Sequence, residues 1–600
     1  MKQFIKMVFA SCLGVILASV VAMILFFFVV VSAITASISA FTSREDTSVF
    51  QVERGSILEI VPGGVISESK ADNPFAAFLP GKRDSEGMLT LSEIKKAIRT
   101  AAEDQNIEAI YIDFSGVGMG YATAQEIRQE LESFKKSGKM IFTYADVLSD
   151  KSYYLASVAD KIYMNPEGML PMMGLSRQVM FYTGPLQKLG VEMQIFKVGT
   201  FKGAVEPFVL KKLSEPNRLQ LQEYINGLWD NVADAIVASR GINRDSLEVF
   251  VNRGYGMGSI RKAVEYGLVD SLMYSLDVEP MLAERYTGER DKELYNGVTV
   301  SQYLRSKSAR HVSKGDAIGV VIAEGEIRES TGEFENATII DMDVAKKLRE
   351  LAEDDDIKAV VMRVNSPGGS AFLSEQIWKE VNDLQAKKPI VVSMGDYAAS
   401  GGYYISCAAN KIFADPTTLT GSIGIFGQFP NFTGAANKID LTMDVVKTHE
   451  LSDLGNTLRP MTDKEKAVIQ NMVERGYELF KKRVADGRGM TVAQVDSVGQ
   501  GRVWLGQKAI ELGLVDKLGT FEDAVEEAAR LAEVDKYYLY YPKSDKKEWW
   551  MKLVGGYSDV KANLFDSLLS PEEQKFLNAI RKAQRTTGIL AMPEIDITEQ

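Results

Sequence analysis

Residues 395–413 read GDYAASGGYYISCAANKIF, and residues 145–163 read ADVLSDKSYYLASVADKIY. The paired tyrosines, an alanine and a Lys-Ile dipeptide fall at the same places, 250 residues apart. The likeness extends beyond this phrase. IEAIYIDFSGVGMGYATAQEIRQEL (107–131) aligns with IKAVVMRVNSPGGSAFLSEQIWKEV (357–381), and VEMQIFKVGTF (191–201) with LTMDVVKTHEL (441–451), at the same offset. KAVEYGLVDSL (262–272) aligns with KAIELGLVDKL (508–518) after a short slip. One unit has been duplicated. At upwards of about 200 residues it is a domain, because solenoid repeats run about 20–50 residues.

Each unit reads as alternating strands and helices. AVVMRV (359–364) is short, β-branched and continuously apolar, as a strand buried on both faces must be. A Gly-rich loop follows, and SEQIWKEVNDL (374–384) then carries apolar residues at helical spacing. PIVVSM (389–394) reads as the next strand, GDYAASGG as a turn, YYISCAAN as a helix, and KIFADP (411–416) as a third strand ended by proline. This alternation predicts an α/β fold with a mainly parallel sheet. The expected organisation is an anchor (1–44), a first repeat (50–285), a charged linker (286–315), a second repeat (316–540) and a C-terminal extension (541–600). The extension lies outside the repeat and carries no matched motif. Its Trp549 and Trp550, flanked by lysines, suit either a membrane surface or a packed helix or subunit contact.

A content of 46% hydrophobic and 25% charged residues is that of a folded globular protein. The net charge of −12, without a basic stripe, argues against nucleic acid as a partner. Two cysteines, Cys12 and Cys407, cannot build a disulfide framework or a cysteine metal site. The only histidines are His311 and His449, so a histidine triad or metal site has little to draw on. No metal or organic cofactor is expected. No charge occurs between Lys6 and Arg44. That run exceeds the roughly 20 apolar residues that cross a bilayer and the h-region of about 7–15 residues of a cleaved signal. With Lys2 and Lys6 before it, it predicts a single span, the rest of the chain lying outside the cytoplasm.

The duplication supplies an internal control. Features common to both copies, such as Asp146 and Asp396, the tyrosine pairs, and Lys161 and Lys411, read as scaffold. Three features belong to one copy only. Ser400 sits after a strand and before a helix, where open α/β sheets place their sites and where a helix dipole favours a developing alkoxide; it reads as a nucleophile or as an N-cap. Its counterpart is Asp150, a good N-cap. Gly368 and Gly369, in NSPGGSAF (365–372), offer backbone N–H groups for an oxyanion hole, or form a plain turn. Lys202, in VGTFKGAVEPF (198–208), has Ser452 as its counterpart. One copy therefore holds a lysine and the other a serine. A serine nucleophile needs a base, and a desolvated lysine can serve as one.

NSPGGS, YAASGGYYIS, NKIFADPTTLTGSIGIFG and VGTFKGAVEPF, following a transmembrane run, resemble the duplicated form of the signal peptide peptidase A (protease IV) family of serine peptidases. The resemblance covers nearly the whole chain. It implies a tandem pair of domains akin to Clp protease and crotonase, with a Ser–Lys dyad where the repeats meet. It further implies Ser400 as nucleophile, Lys202 as general base, Ser422 as the hydroxyl that orients the lysine, and Gly368 and Gly369 as the oxyanion-hole region. The implied substrates are hydrophobic peptides, including remnant signal peptides. The implied setting is the bacterial cytoplasmic membrane, with the catalytic domains on the periplasmic side, and the implied assembly is a homotetramer.

Two other readings stay open on the residues alone. AASGG is close to the G-x-S-x-G elbow of an α/β-hydrolase esterase, for which His449 and Glu450 would complete a triad. A non-catalytic membrane scaffold is the second. The SxxK strings SEIK (92–95) and SFKK (133–136) lie in charged helical stretches and read as chance.

Overall fold

A computed structural model of the chain describes residues 50–69, 88–288, 295–306, 315–330, 338–542 and 588–591. The expected membrane span, Cys12, His311, Trp549 and Trp550 lie outside the described residues. Among the described residues no helix is long and apolar enough to cross a membrane. The described residues of 52–304 and 308–600 form one compact unit, which holds both repeats. In the small remaining unit, Phe50 and Ser306 form a parallel bridge.

The first repeat is built on six parallel strands: β1 (Ser56–Ile60), β2 (Ile107–Ile112), β3 (Met140–Val147), β4 (Lys161–Met169), β6 (Ser271–Leu272) and β7 (Gly297–Thr299). Their order is β6-β4-β3-β2-β1-β7. β7 and the helix Val300–Leu304 fall inside the expected linker, so the first repeat extends past residue 285. The second repeat is built the same way around β8 (Asp316–Glu324), β11 (Ile357–Ser366) and β13 (Ile390–Ala399). β14 (Lys411–Ala414), β15 (Leu419–Gly421), β17 (Val503–Leu505), β18 (Lys517–Leu518) and β19 (Tyr537–Tyr540) complete its sheet. Every residue of β13 is buried, as its apolar start IVV demands of a central parallel strand. The long helices Glu215–Arg240 and Asp463–Arg488 match between the copies. Each starts on a hydroxyl cap, Ser214 or Thr462, and stops at a left-handed glycine, Gly241 or Gly489.

A third sheet joins the copies. Its order is β10 (Ile339–Ile340), β9 (Glu326–Ile327), β12 (Gly369–Ser370), β20 (Gly588–Ala591), β16 (Phe426–Asn431) and β5 (Glu192–Lys197). β5 belongs to the first repeat and pairs antiparallel with β16 of the second, from Glu192↔Asn431 to Lys197↔Phe426. The aligned segment of the second copy, 441–447, is not a strand, and Val446 within it is fully exposed. Sequence likeness did not carry the strand across, because a strand at an edge exists only where another edge meets it.

Asp146 and Asp396 also part company. Asp146 is exposed and accepts from Tyr144 and Asn165 of its own repeat. Asp396 is buried and reaches into the first repeat, accepting from the Thr123 N–H (3.0 Å) and hydroxyl (2.6 Å). It thereby caps the helix Tyr121–Lys135, whose own N-cap, Gly120, has no side chain. A Cβ on Gly120 would lie 2.0 Å from the Asp396 carboxyl. In the second copy Ser370 caps the matching helix itself, accepting from the Leu373 N–H. Nearby, Arg363 of β11 pairs with Glu68 and Glu126 of the first repeat, and Glu126 also pairs with Lys95. The lysine of SEIK is thus part of the buried joint between the copies.

Asp396→Ala should destabilise the protein by about 1–2 kcal/mol, the worth of a helix cap, read as a lower urea midpoint. An unchanged midpoint would show that the carboxylate does not hold the repeats together.

Candidate active site

Ser400 directly follows β13 and precedes the helix Gly401–Ser406. Its backbone, φ 55 and ψ −111, is strained for a serine. The turn is pinned by the Ser400 N–H donating to the Gly421 carbonyl at 2.8 Å. The side chain makes no capping bond to the helix, so the N-cap reading does not hold. Ser400 is fully buried, and its Oγ lies 2.9 Å from Lys202 Nζ.

Lys202 sits on the loop after β5 and crosses from the first repeat to the second. The loop is laced to its partner by the Val198 N–H to the Ile425 carbonyl (3.2 Å) and the Phe201 N–H to the Gln500 carbonyl (2.8 Å). Besides Ser400, Nζ meets the Ser422 hydroxyl at 3.1 Å and the Ser422 carbonyl at 3.2 Å. No carboxylate pairs with it among the described residues, and it is 1% exposed. Burial alone therefore pushes its pKa well below the ordinary lysine value of 10.5. A neutral amine has two N–H donors and one lone pair, and the contacts match that count. The two oxygens of Ser422 can take the N–H bonds, leaving the lone pair for the Ser400 hydroxyl proton. Ser422 is itself held at φ 52, its N–H donating to the Arg502 carbonyl at 2.7 Å. Ser400, Ser422 and Gln500 are three of the five non-glycine residues at positive φ among the described residues, so backbone strain gathers here.

Gly368 and Gly369 lie beside Ser400. Gly368 has φ 102, and its N–H donates to the Ser366 hydroxyl at 3.1 Å. A Cβ at this glycine would sit 2.7 Å from the Gly401 nitrogen and 2.2 Å from the Ala591 carbonyl oxygen, so only glycine fits. The Gly368 N–H is thus engaged by Ser366, while a Cβ on Gly401 would lie 3.1 Å from the Gly369 nitrogen, so these backbone groups are clustered beside Ser400. Gly401 begins a helix, where N–H groups have no intrahelical partner.

The remaining candidates lie apart. Asp150 is not the N-cap of its helix; Ser149 is, accepting from the Ser152 N–H. The Asp150 carboxylate instead accepts the Gly174 N–H at 3.3 Å. Ser452 lies in a turn with His449, whose ring is exposed and touches Thr448. Glu450 pairs with Lys464 and not with His449, so the triad of the esterase reading is not assembled.

A model for "Peptidase family S49" matches residues 133–286 and again 382–535. The chain is similar to Protease 4 of Salmonella typhi, 34% identical over 530 residues that cover 86% of this chain and 85% of that protein. It is 37% identical to Protease 4 of Haemophilus influenzae over 72% of each chain. It is 32% identical to the chloroplastic serine protease SPPA of Arabidopsis thaliana, over 81% of this chain and 70% of that one.

Lys202→Met keeps the bulk and removes the amine. In the wild type, between the folded pKa and 10.5, the unfolded chain binds a proton that the folded chain does not, so stability should fall as pH falls through that window. The melting temperature of Lys202→Met relative to wild type should therefore rise on going from pH of about 10 toward neutral. A constant difference would mean that the amine is not buried neutral.

Proposed function

This chain belongs to peptidase family S49, and on that premise we propose that it is a serine endopeptidase working through a Ser400–Lys202 dyad. Lys202 takes the Ser400 proton as Oγ attacks the peptide carbonyl, and returns it to the departing amine. Ser422 holds the amine so that its lone pair faces Ser400. The Gly369 and Gly401 N–H groups, with Gly368 shaping the pocket beside them, stabilise the oxyanion. Water then hydrolyses the acyl-enzyme by the same proton route. The observation that carries this reading is a buried lysine with no carboxylate partner among the described residues, 2.9 Å from a strained, buried serine.

The substrates are apolar peptides bound in extended form, remnant signal peptides among them. The apolar run before Arg44 supports a tether in the bacterial cytoplasmic membrane, with both repeats on its outer face. The unmet halves of the β5–β16 pairing support assembly with further copies of the chain. The second copy's counterpart of β5 (441–447) and the first copy's counterpart of β16 (176–181) are not strands, and Ile439, Val446 and Met180 at or beside them are exposed. Such complementary ends pair head to tail between copies and close into a ring, which we take to be a tetramer.

A fluorophosphonate probe should label the wild type on Ser400 and leave Ser400→Ala unlabelled. His449→Ala should label at the wild-type rate. Labelling that survives in Ser400→Ala, or is lost in His449→Ala, would refute the dyad.

A further inference from the structure

The loop that carries Lys202 lies backbone to backbone on a turn of the second repeat, residues 499–502, between the helix Val492–Val498 and β17. The approach leaves no room for side chains at two places. A Cβ on Gly199 would lie 2.5 Å from the Gln500 carbonyl carbon and oxygen, and a Cβ on Gly501 would lie 2.8 Å from the Lys202 nitrogen, Cα and Cβ. The same turn holds Ser422. The Arg502 carbonyl accepts the Ser422 N–H at 2.7 Å. The Ser422 hydroxyl donates to the Gly501 carbonyl at 3.5 Å, which leaves its oxygen to accept from Lys202. One short turn thus sets the place of the lysine and of the hydroxyl that the lysine meets.

Gln500 grips the lysine loop twice. Its carbonyl accepts the Phe201 N–H at 2.8 Å, and its side-chain Oε1 accepts the Thr200 N–H at 3.3 Å. It is anchored from behind. Its Nε2 donates to Asp496 at 2.9 Å, and its N–H donates to the Tyr477 hydroxyl at 3.1 Å. Tyr477 in turn donates to the other Asp496 oxygen at 2.8 Å. The backbone of Gln500 is left-handed, φ 56, where glycine costs least. The register that aligns 262–272 with 508–518 sets Gly254 of the first copy opposite Gln500. Gly254 is left-handed too, φ 60, with open space where a Cβ would stand. The turn that faces no catalytic lysine therefore has glycine, and the turn that faces Lys202 has a residue that is strained there and reaches the lysine loop.

We infer that Gln500 is a positioning residue for the peptidase reaction, fixing the backbone of residues 200–202 so that Lys202 Nζ stays between Ser422 and Ser400. This rests on the Ser–Lys reading above. Gln500 handles no proton itself and acts through the lysine. When its side chain is lost, the loop loosens, the amine loses its aim, and water reaches it. Hydration restores the charged form, so the base is protonated over more of the working pH range. A small shift is enough, because a misplacement of about 1 Å can cost about a hundredfold in rate. The charged groups around the turn are Lys197, 3.5 Å from the Lys202 carbonyl, Arg502, paired with Glu223, and Lys481, paired with Glu478 and Asp496.

The test is the pH profile of Ser400 acylation by a fluorophosphonate, followed by intact mass on the full-length protein. Gln500→Gly suits the left-handed turn, keeps its main-chain bonds and removes only the side chain. Its plateau rate should lie at least about tenfold below wild type, and its ionisation should move up toward the ordinary lysine value. Asp496→Asn leaves Gln500 in place and weakens its anchor, so it should move both in the same direction by less. Asp396→Ala loosens the joint at Thr123 instead and should keep the wild-type ionisation. A Gln500→Gly variant whose ionisation stays where the wild type has it, or an equal shift in Asp396→Ala, would overturn the positioning role and leave the dyad standing. A wild type that is not labelled on Ser400, or is labelled at a rate flat in pH, would overturn the dyad and the positioning role with it.

Discussion

Six residue pairs of one antiparallel ladder, from Glu192↔Asn431 to Lys197↔Phe426, decide where Lys202 can reach. The ladder joins a strand of one repeat to a strand of the other. The lysine loop follows it directly and is bonded to residues 425 and 500 of the second repeat. Without this pairing Lys202 would be a surface lysine and Ser400 a buried hydroxyl with no amine beside it. The Asp396 cap on Tyr121–Lys135 and the Arg363–Glu126–Lys95 cluster fasten the same two bodies elsewhere. The repeats are thus fastened to one another around a Ser400–Lys202 contact that neither contains alone.

Duplication followed by divergence explains the division of labour. At position 400 the second copy has a serine on a strained turn, and the first has Asp150 at the start of a helix capped by Ser149. At position 202 the first copy has a lysine sunk between repeats, and the second has Ser452 in a turn beside an exposed histidine. Each copy keeps the sheet and, on the proposed dyad, gives up the half of the chemistry that the other supplies.

Much of this was legible from residues. The runs at 359–364 and 389–394 announced buried parallel strands, and the mismatch between copies pointed to Ser400 and Lys202, which the fold brings to hydrogen-bonding distance. What stayed hidden depends on partners distant in sequence. Asp396 looked equivalent to Asp146 because a cap across repeats leaves no local pattern. Residues 441–451 align with 191–201, but only the earlier copy forms a strand there, where it meets β16. Gly297–Leu304 looked like linker because a short edge strand carries little apolar signal. β20 is a four-residue stretch whose meaning comes from the two strands it separates. The Gly401 N–H is a backbone group and has no side-chain signature.

The central claim is that Lys202 is neutral when it meets the Ser400 hydroxyl. The rate of Ser400 acylation by a fluorophosphonate, followed by intact mass across roughly pH 5 to 9, tests it most directly. The rate should climb with pH through one ionisation well below the ordinary lysine value and then level, and Lys202→Met should lose both the rate and the ionisation. A rate that is flat over that range, or a Lys202→Met variant that keeps the wild-type profile, would contradict it.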